Sequence, residues 1–265
     1  MNRKIVTITS ESNKTFREFR SLLGKRGIKR HGKTLVAGAR IIADLARLRP
    51  DIIRGWIVAS ADHRQPPGMS CSVPVYQLGW DLFRILDVNG TNYPILLVDV
   101  PELPGFDEEK VREKAILAIP FQDPTNVGAA IRSAAAFGIR TVILLKESAN
   151  PFHQKSIRAA GPALFTIGLT TGPSIRDLSF SSYEIVALDK DGEDIGSFRF
   201  PERFVLVPGL EGSGLPDLFR SRHRVSIPIS PAVESLNASV AASIALYCWK
   251  KPADKLHRDM PLFHL

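Results

Sequence analysis

Cysteine is scarce in this chain: Cys71 and Cys248 are the only two among 265 residues. A disulfide framework is therefore excluded, and a reduced, cytoplasmic setting is expected. Long apolar runs are missing as well. Runs such as Ile95 to Val98 and Phe204 to Val207 fall far short of the ~18–20 residues that cross a bilayer. The amino-terminal MNRKIVTITSESNK contains no apolar stretch of secretory length. The six histidines are scattered, and no Cys/His cluster has metal-ligand spacing, so no metal is expected. Neither a G-x-G-x-x-G fingerprint nor the Lys-Ser/Thr of a P-loop occurs, which argues against a doubly wound nucleotide-binding enzyme.

What is present is a balanced globular composition, 44% hydrophobic and 23% charged, enough for one large or two ordinary domains. The formal charge of +8 is unevenly placed. The first fifty residues hold thirteen Lys/Arg against three Asp/Glu, a net +10, which leaves −2 for the remaining 215. Lys14, Arg17, Arg20, Lys25, Arg26, Lys29, Arg30 and Lys33 recur every three or four positions around a few apolar residues, a surface suited to a polyanion such as nucleic acid. A solvated helical surface without a partner carries the same pattern. An anionic membrane fits less well, because the bulky apolar face of an interfacial helix is missing.

Along the chain, helical spacing at Ile41, Ile42, Leu45 and Leu48 ends before Pro50, and a strand-like GWIVAS follows. A turn-rich Gln65–Gly68, a short strand at Val73–Tyr76 and the run Ile95–Val98 complete a small α/β module. The Pro-, Gly- and charge-rich Val100–Lys114 reads as a linker, placing a boundary near residue 110. Beyond it, AILAIP as a strand, a helix over Val127–Phe137 closed by Gly138, and TVILL as a strand predict a parallel sheet. Further strands are expected at Ala163–Ile167, Glu184–Leu188, Phe204–Val207 and Val225–Ile229, with a last helix from Leu236 to about Trp249.

Three segments that follow strands carry unusual chemistry, and ligands of open parallel sheets bind outside the carboxyl ends of strands. In PFQDPTNVGAAIRSAAAFG, Asp123, Thr125 or Asn126 can cap a helix, with Arg132 about two turns on. A cap beside a guanidinium fits a phosphate or a ribose, and also fits an ordinary solvated helix. VPGLEGSGLP holds Glu211 among Gly209, Gly212 and Gly214, which suits close approach of backbone to a ligand or a plain turn. In SIPISPAVESLNASVAAS, Ser235 and Asn237 stand at the mouth of a small-residue helix, as caps or as site residues.

In this order the three segments resemble the motifs of the SpoU/TrmH group of RNA ribose 2'-O-methyltransferases, the SPOUT class. The first is carried by Asp123-Pro124-Thr125-Asn126-Val127-Gly128 through Arg132 and Phe137-Gly138, the second by Gly209-Leu210-Glu211-Gly212-Ser213-Gly214, and the third by Ile227-Pro228 through Ser235-Leu236-Asn237. Asn150–Phe165 is similar to the family segment between the first two motifs, and SNKTFREFRSLLGKRGIKRHGKTLVAG resembles the start of an L30e-like RNA-binding domain. Leu210, Pro231-Ala232 and Ala37 depart from the family pattern.

The resemblance implies an α/β fold. Residues 111–265 would form a parallel-sheet SPOUT domain with a deep trefoil knot, and residues 1–110 a smaller, basic L30e-like domain with its linker. It implies S-adenosyl-L-methionine as cofactor, held by Gly209, Ile227 and Leu236. It also implies an active site of Asn126, Arg132, Glu211, Ser235 and Asn237, ribosomal or transfer RNA as partner, and a homodimer. Arginine is a poor base because its guanidinium keeps its proton. Arg132 is therefore expected to position the ribose and stabilise the developing alkoxide, with the proton passing to phosphate or water. The alternative is a knotted RNA-binding protein without turnover, for instance one acting in ribosome assembly.

Overall fold

The computed structural model describes residues 4–59, 73–210, 215 and 223–251. Glu211, Gly212, Ser213, Gly214, Cys71 and the Gln65–Gly68 turn lie outside the described residues. The chain divides into two compact units. One takes in Met1–Pro104, Gln122–Arg132 and Ser148–Ile167, the other Gly105–Phe121, Ser133–Glu147 and Gly168–Leu265.

The first unit opens with β1 (Ile5–Ile8), α1 (Lys14–Ser21), α2 (Lys25–His31), β2 (Lys33–Ala37) and α3 (Ala39–Leu48). It continues through β3 (Ile53–Ala59), β4 (Val75–Leu78), α4 (Trp80–Leu86) and β5 (Ile95–Asp99). The strands form a mixed sheet in the order β1-β4-β3-β5-β2, in which β1, β4 and β3 run parallel and β5 pairs antiparallel with both β3 and β2. Phe16, Phe19 and Leu22 of the first helical hairpin pack with Leu82, Phe83 and Leu86 of α4 on sheet residues Leu35, Ile57, Leu78 and Leu97. α1 starts where Asn13 Oδ1 accepts the N–H groups of Thr15 and Phe16. Gly27 lets α2 close on α1, since a Cβ there would lie 2.0 Å from the Ser21 carbonyl oxygen.

The second unit is built on β6 (Ala115–Ile119), β7 (Thr141–Leu144), β8 (Gly168–Thr171), β9 (Glu184–Asp194), β10 (Phe204–Val207) and β11 (His223–Ser226). These strands form one sheet, order β11-β9-β10-β6-β7-β8, parallel throughout. β6, β7 and β10 are buried at every position, as strands covered on both faces must be, and their near-continuous apolar sequences follow from it. Three further helices complete the elements: α5 (Pro124–Ala136), α6 (Gln154–Ala160) and α7 (Ala238–Lys250). α6 belongs to the first unit and α7 to the second, and α5 lies in the first unit up to Arg132.

Several sequence expectations shift. Ala163–Ile167, expected as a strand, is a 3-10 turn over Gly161–Phe165. Gly161 takes φ +62°, Pro162 has no N–H for a ladder, and the N–H groups of Thr166 and Ile167 both return to the Ala163 carbonyl. The strand follows it, as β8. The expected strand at Val225–Ile229 stops at Ser226, two residues before Pro228. α5 begins one turn earlier than its apolar pattern suggests, with Pro124 as its first residue, where a missing N–H costs nothing. The linker expected at Val100–Lys114 holds only a 3-10 turn at Glu108–Lys110 and one bridge from Gly105 to Thr171.

Candidate active site

α5 carries the first pair of expected site residues. Asp123 caps it, with Oδ1 accepting the Thr125 N–H at 2.7 Å, and Asn126 sits half-buried in the first turn. Arg132 lies six residues on, about 9 Å along the axis and some 120° around the helix from Asn126, with its side chain exposed. The opposite face is apolar and tight: Val127, Ala130, Ile131 and Ala134 are fully buried. Gly128 is a packing residue, because a Cβ there would stand 2.2 Å from the Ser156 carbonyl oxygen and 2.8 Å from Ala159 Cβ of α6. Gly138 ends the helix at φ +82°, and the Ile139 N–H reaches back to the Ala134 carbonyl at 2.9 Å, a Schellman closure.

α6 is capped by His153, whose Nδ1 accepts the Lys155 N–H at 3.3 Å. Burial, and then the nearby Lys155 charge, push the His153 imidazole below its usual value, against a smaller opposing pull from Asp123. The neutral ring that the cap requires is thus favoured.

In the second unit the parallel strands β6, β10 and β11 end at one edge of the sheet. Gly209 follows β10 after the buried Pro208, and Ile227 follows β11; both are half-buried. From Pro228 to Ser235 the chain is exposed, including Ser235, before half-buried Leu236. Asn237 caps α7: its Oδ1 accepts the N–H groups of Ser239 at 3.0 Å and Val240 at 3.2 Å, and the Ser239 hydroxyl at 2.7 Å. Of the two cap candidates Ser235 and Asn237, the helix uses Asn237. Gly209, Ile227, Ser235, Leu236 and Asn237 thus share one unit, Asn126 and Arg132 share the other, and Glu211 lies outside the described residues.

Sequence reasoning missed a hydroxyl pair beside Arg132. Ser133 Oγ is 2.8 Å from Ser243 Oγ, and Ser243 donates to the Ser239 carbonyl at 2.7 Å. The single Ser243 proton serves one acceptor at a time, the Ser133 hydroxyl or the Ser239 carbonyl. Serines facing each other from α5 and α7 tie the two motif helices together within the second unit. A serine at helical spacing among alanines was the one available signal, and it also fits simple small-residue packing. Among the described residues no cluster of His, Cys, Asp and Glu could hold a metal, and no helix is long and apolar enough to cross a membrane.

Against known proteins, a ribosomal RNA small subunit methyltransferase G 2 from Syntrophobacter fumaroxidans is 44% identical over 92% of this chain, which spans only 49% of that relative. A 23S rRNA (uridine(2479)-2'-O)-methyltransferase from Streptomyces viridochromogenes is 30% identical, covering 91% of this chain and 90% of that protein. Among solved structures, the SpoU methyltransferase AviRb from Streptomyces viridochromogenes, in complex with AdoMet, superposes with a TM-score of 0.74 at 26% identity, covering 90% of this chain and 97% of that one. An AdoMet-bound rRNA methyltransferase from Sinorhizobium meliloti shares the fold with a TM-score of 0.75 at 21% identity, over 93% and 97%. Residues 114–247, which contain every motif residue described above, match the SpoU rRNA Methylase family, and the chain belongs to that family.

Proposed function

We propose that the chain transfers a methyl group from S-adenosylmethionine to a ribose 2'-oxygen of structured RNA, with ribosomal RNA as the favoured substrate. The observation that carries this reading is the placement of Gly209 and Ile227 directly after parallel strands that end at one sheet edge, inside the segment matched by the family. Two relatives are named as ribose methyltransferases of 23S rRNA, the Streptomyces protein and a 23S rRNA (guanosine(2553)-2'-O)-methyltransferase RlmP from Bacillus subtilis that is 27% identical over 91% of this chain.

The residues present fit the cofactor. Half-buried Ile227 and Leu236 bracket a loop whose Ile229 and Val233 are 38% and 54% exposed. Apolar side chains so placed suit an adenine ring, and the backbone at Gly209 leaves room for close approach. When bound, the cofactor supplies an electrophilic methyl carbon. Arg132 holds the ribose and its phosphate with a planar fork and stabilises the developing alkoxide, while the proton leaves to phosphate or water. Asn126 orients the ribose, Ser235 shapes the pocket, Asn237 holds the loop before α7, and Glu211 joins this set by its place in the second motif. Alignment of the oxygen with the methyl carbon supplies much of the acceleration.

The same reading makes residues 111–265 a SPOUT domain with a deep trefoil knot and residues 1–110 an L30e-like RNA-binding domain. It makes the protein a cytoplasmic homodimer that grips RNA through Lys14, Arg17, Arg20, Lys25, Arg26, Lys29, Arg30 and Lys33. The test is transfer of labelled methyl from S-adenosylmethionine to total RNA from cells lacking the protein, beside Arg132→Ala. Label at a ribose, absent with the variant, is the expected result. Tight RNA binding without label in either protein would favour a binding module that lacks turnover.

A further inference from the structure

Trp80 opens α4 with 41% of its surface exposed, whereas Trp56 is buried to 1%. A large indole left this open forgoes the stabilisation that burial would give it. Its ring is nonetheless held. Phe83, buried one turn on, lies nearly parallel to it, with centroids 5.9 Å apart and planes 14° apart, and the Arg84 guanidinium carbon stands 5.4 Å from the indole centroid. The result is an oriented aromatic plate with a cation beside it.

The sheet sets the helix that carries this plate beside a helix rich in cations. β1 and β4 run parallel, with Ile8 opposite Leu78, so the segments leaving their carboxyl ends start α1 and α4 side by side. Phe16 and Phe19 of α1 share one apolar cluster with Leu82 and Phe83 of α4. Facing away from that cluster, α1 presents Lys14 and Arg17, both exposed. Cations alone would serve any polyanion. An exposed indole with the Arg84 guanidinium beside its ring adds a contact for a flat π system that is itself attached to anionic groups.

We propose that Trp80, with Arg84, stacks an unpaired nucleobase of the RNA, while Lys14 and Arg17 hold the adjoining phosphates. The proposal rests on the reading that the chain binds RNA. It specifies a single-stranded element within the substrate, since paired bases in an A-form helix offer no free face to stack on.

The test uses the full chain with a 12-nucleotide oligouridylate and a duplex of equal length, read by filter binding and by indole fluorescence. Oligouridylate is expected to quench the emission that distinguishes the native chain from Trp80→Phe. Trp80→Ala is expected to weaken single-strand binding by about tenfold and to leave duplex binding nearly unchanged. A double variant, Lys25→Gln with Arg26→Gln, is expected to weaken both probes alike. Single-strand binding by Trp80→Ala as tight as the native chain's, with no quenching of Trp80, would overturn the stacking site and leave RNA binding intact, as would equal weakening of both probes. Failure of the native chain to bind either probe, with the double variant indistinguishable from it, would bring down the RNA reading and the stacking site together.

Discussion

Arg132 combines fixed charge with a planar fork, and a lysine at the same position keeps only the first. If the reaction needs the fork to hold ribose and phosphate together, Arg132→Lys should lose about a hundredfold in kcat, the scale of one removed transition-state donor, with a smaller change in RNA affinity. Single-turnover methyl transfer at saturating RNA measures this directly, and near-native turnover would show that charge alone suffices. Arg132 stands out in the sequence because the first of three ordered motifs contains it. The role of Asn237 was not legible there, since an Asn at a helix mouth reads equally as a cap and as a site residue. Three of its hydrogen bonds, into the first turn of α7, show that it caps that helix. Trp80 was silent for a related reason: a tryptophan in an apolar pattern reads as core, and its exposure is a tertiary fact.

The two helices around the first motif make separate, measurable contributions. Gly128→Ala would drive a methyl group into the Ser156 carbonyl of α6, an overpacking that costs about 1–3 kcal/mol. Calorimetry should show a Tm lower by about 2–4 °C for each kcal/mol, and an unchanged Tm would mean that α6 yields freely. α6 also carries a pH dependence. The His153 value lies below that of an unfolded histidine, so the unfolded chain takes up the proton first. The stability this group confers is full above about pH 6.5 and is lost as pH falls below it. His153→Asn keeps a cap acceptor but removes the titration. The difference in urea midpoint between pH 7.5 and pH 5.5 should therefore shrink in the variant, and an equal difference would exclude His153 as the source. Burial accounts for which elements the sequence revealed. β5 and β10 are covered on both faces and show as plain apolar runs. α4 and α6, at seven residues each, are too short for a period to emerge, and β8, reading GLTT with two of its positions exposed, shows neither a run nor an alternation.

Charge divides the molecule as sharply as its contacts do, with +10 in the first fifty residues and −2 in all the rest. Internal ion pairing accounts for little of the excess. Among the eight cations expected to touch RNA, Arg20 meets Glu11 at 2.8 Å and Lys33 meets Glu18 at 3.2 Å, while Lys14, Arg17, Lys25, Arg26, Lys29 and Arg30 stand exposed on α1 and α2. Cations without carboxylates nearby are those whose binding to phosphate releases counterions, and each contributes about 0.7–0.9 to the slope of log affinity against log salt. Replacing Lys25, Arg26, Lys29 and Arg30 together by Gln should thus flatten the slope for rRNA by about 3, and raise KM for RNA while kcat at saturating RNA stays near native. Because Trp80 stacks on a base rather than neutralising a phosphate, Trp80→Ala should instead weaken binding by a similar factor at every salt concentration. A salt titration of the two variants side by side separates charge from stacking: parallel lines for Trp80→Ala and converging lines for the four-Gln variant are expected. A slope unchanged by removing four cations would mean that the phosphates lie elsewhere on the chain.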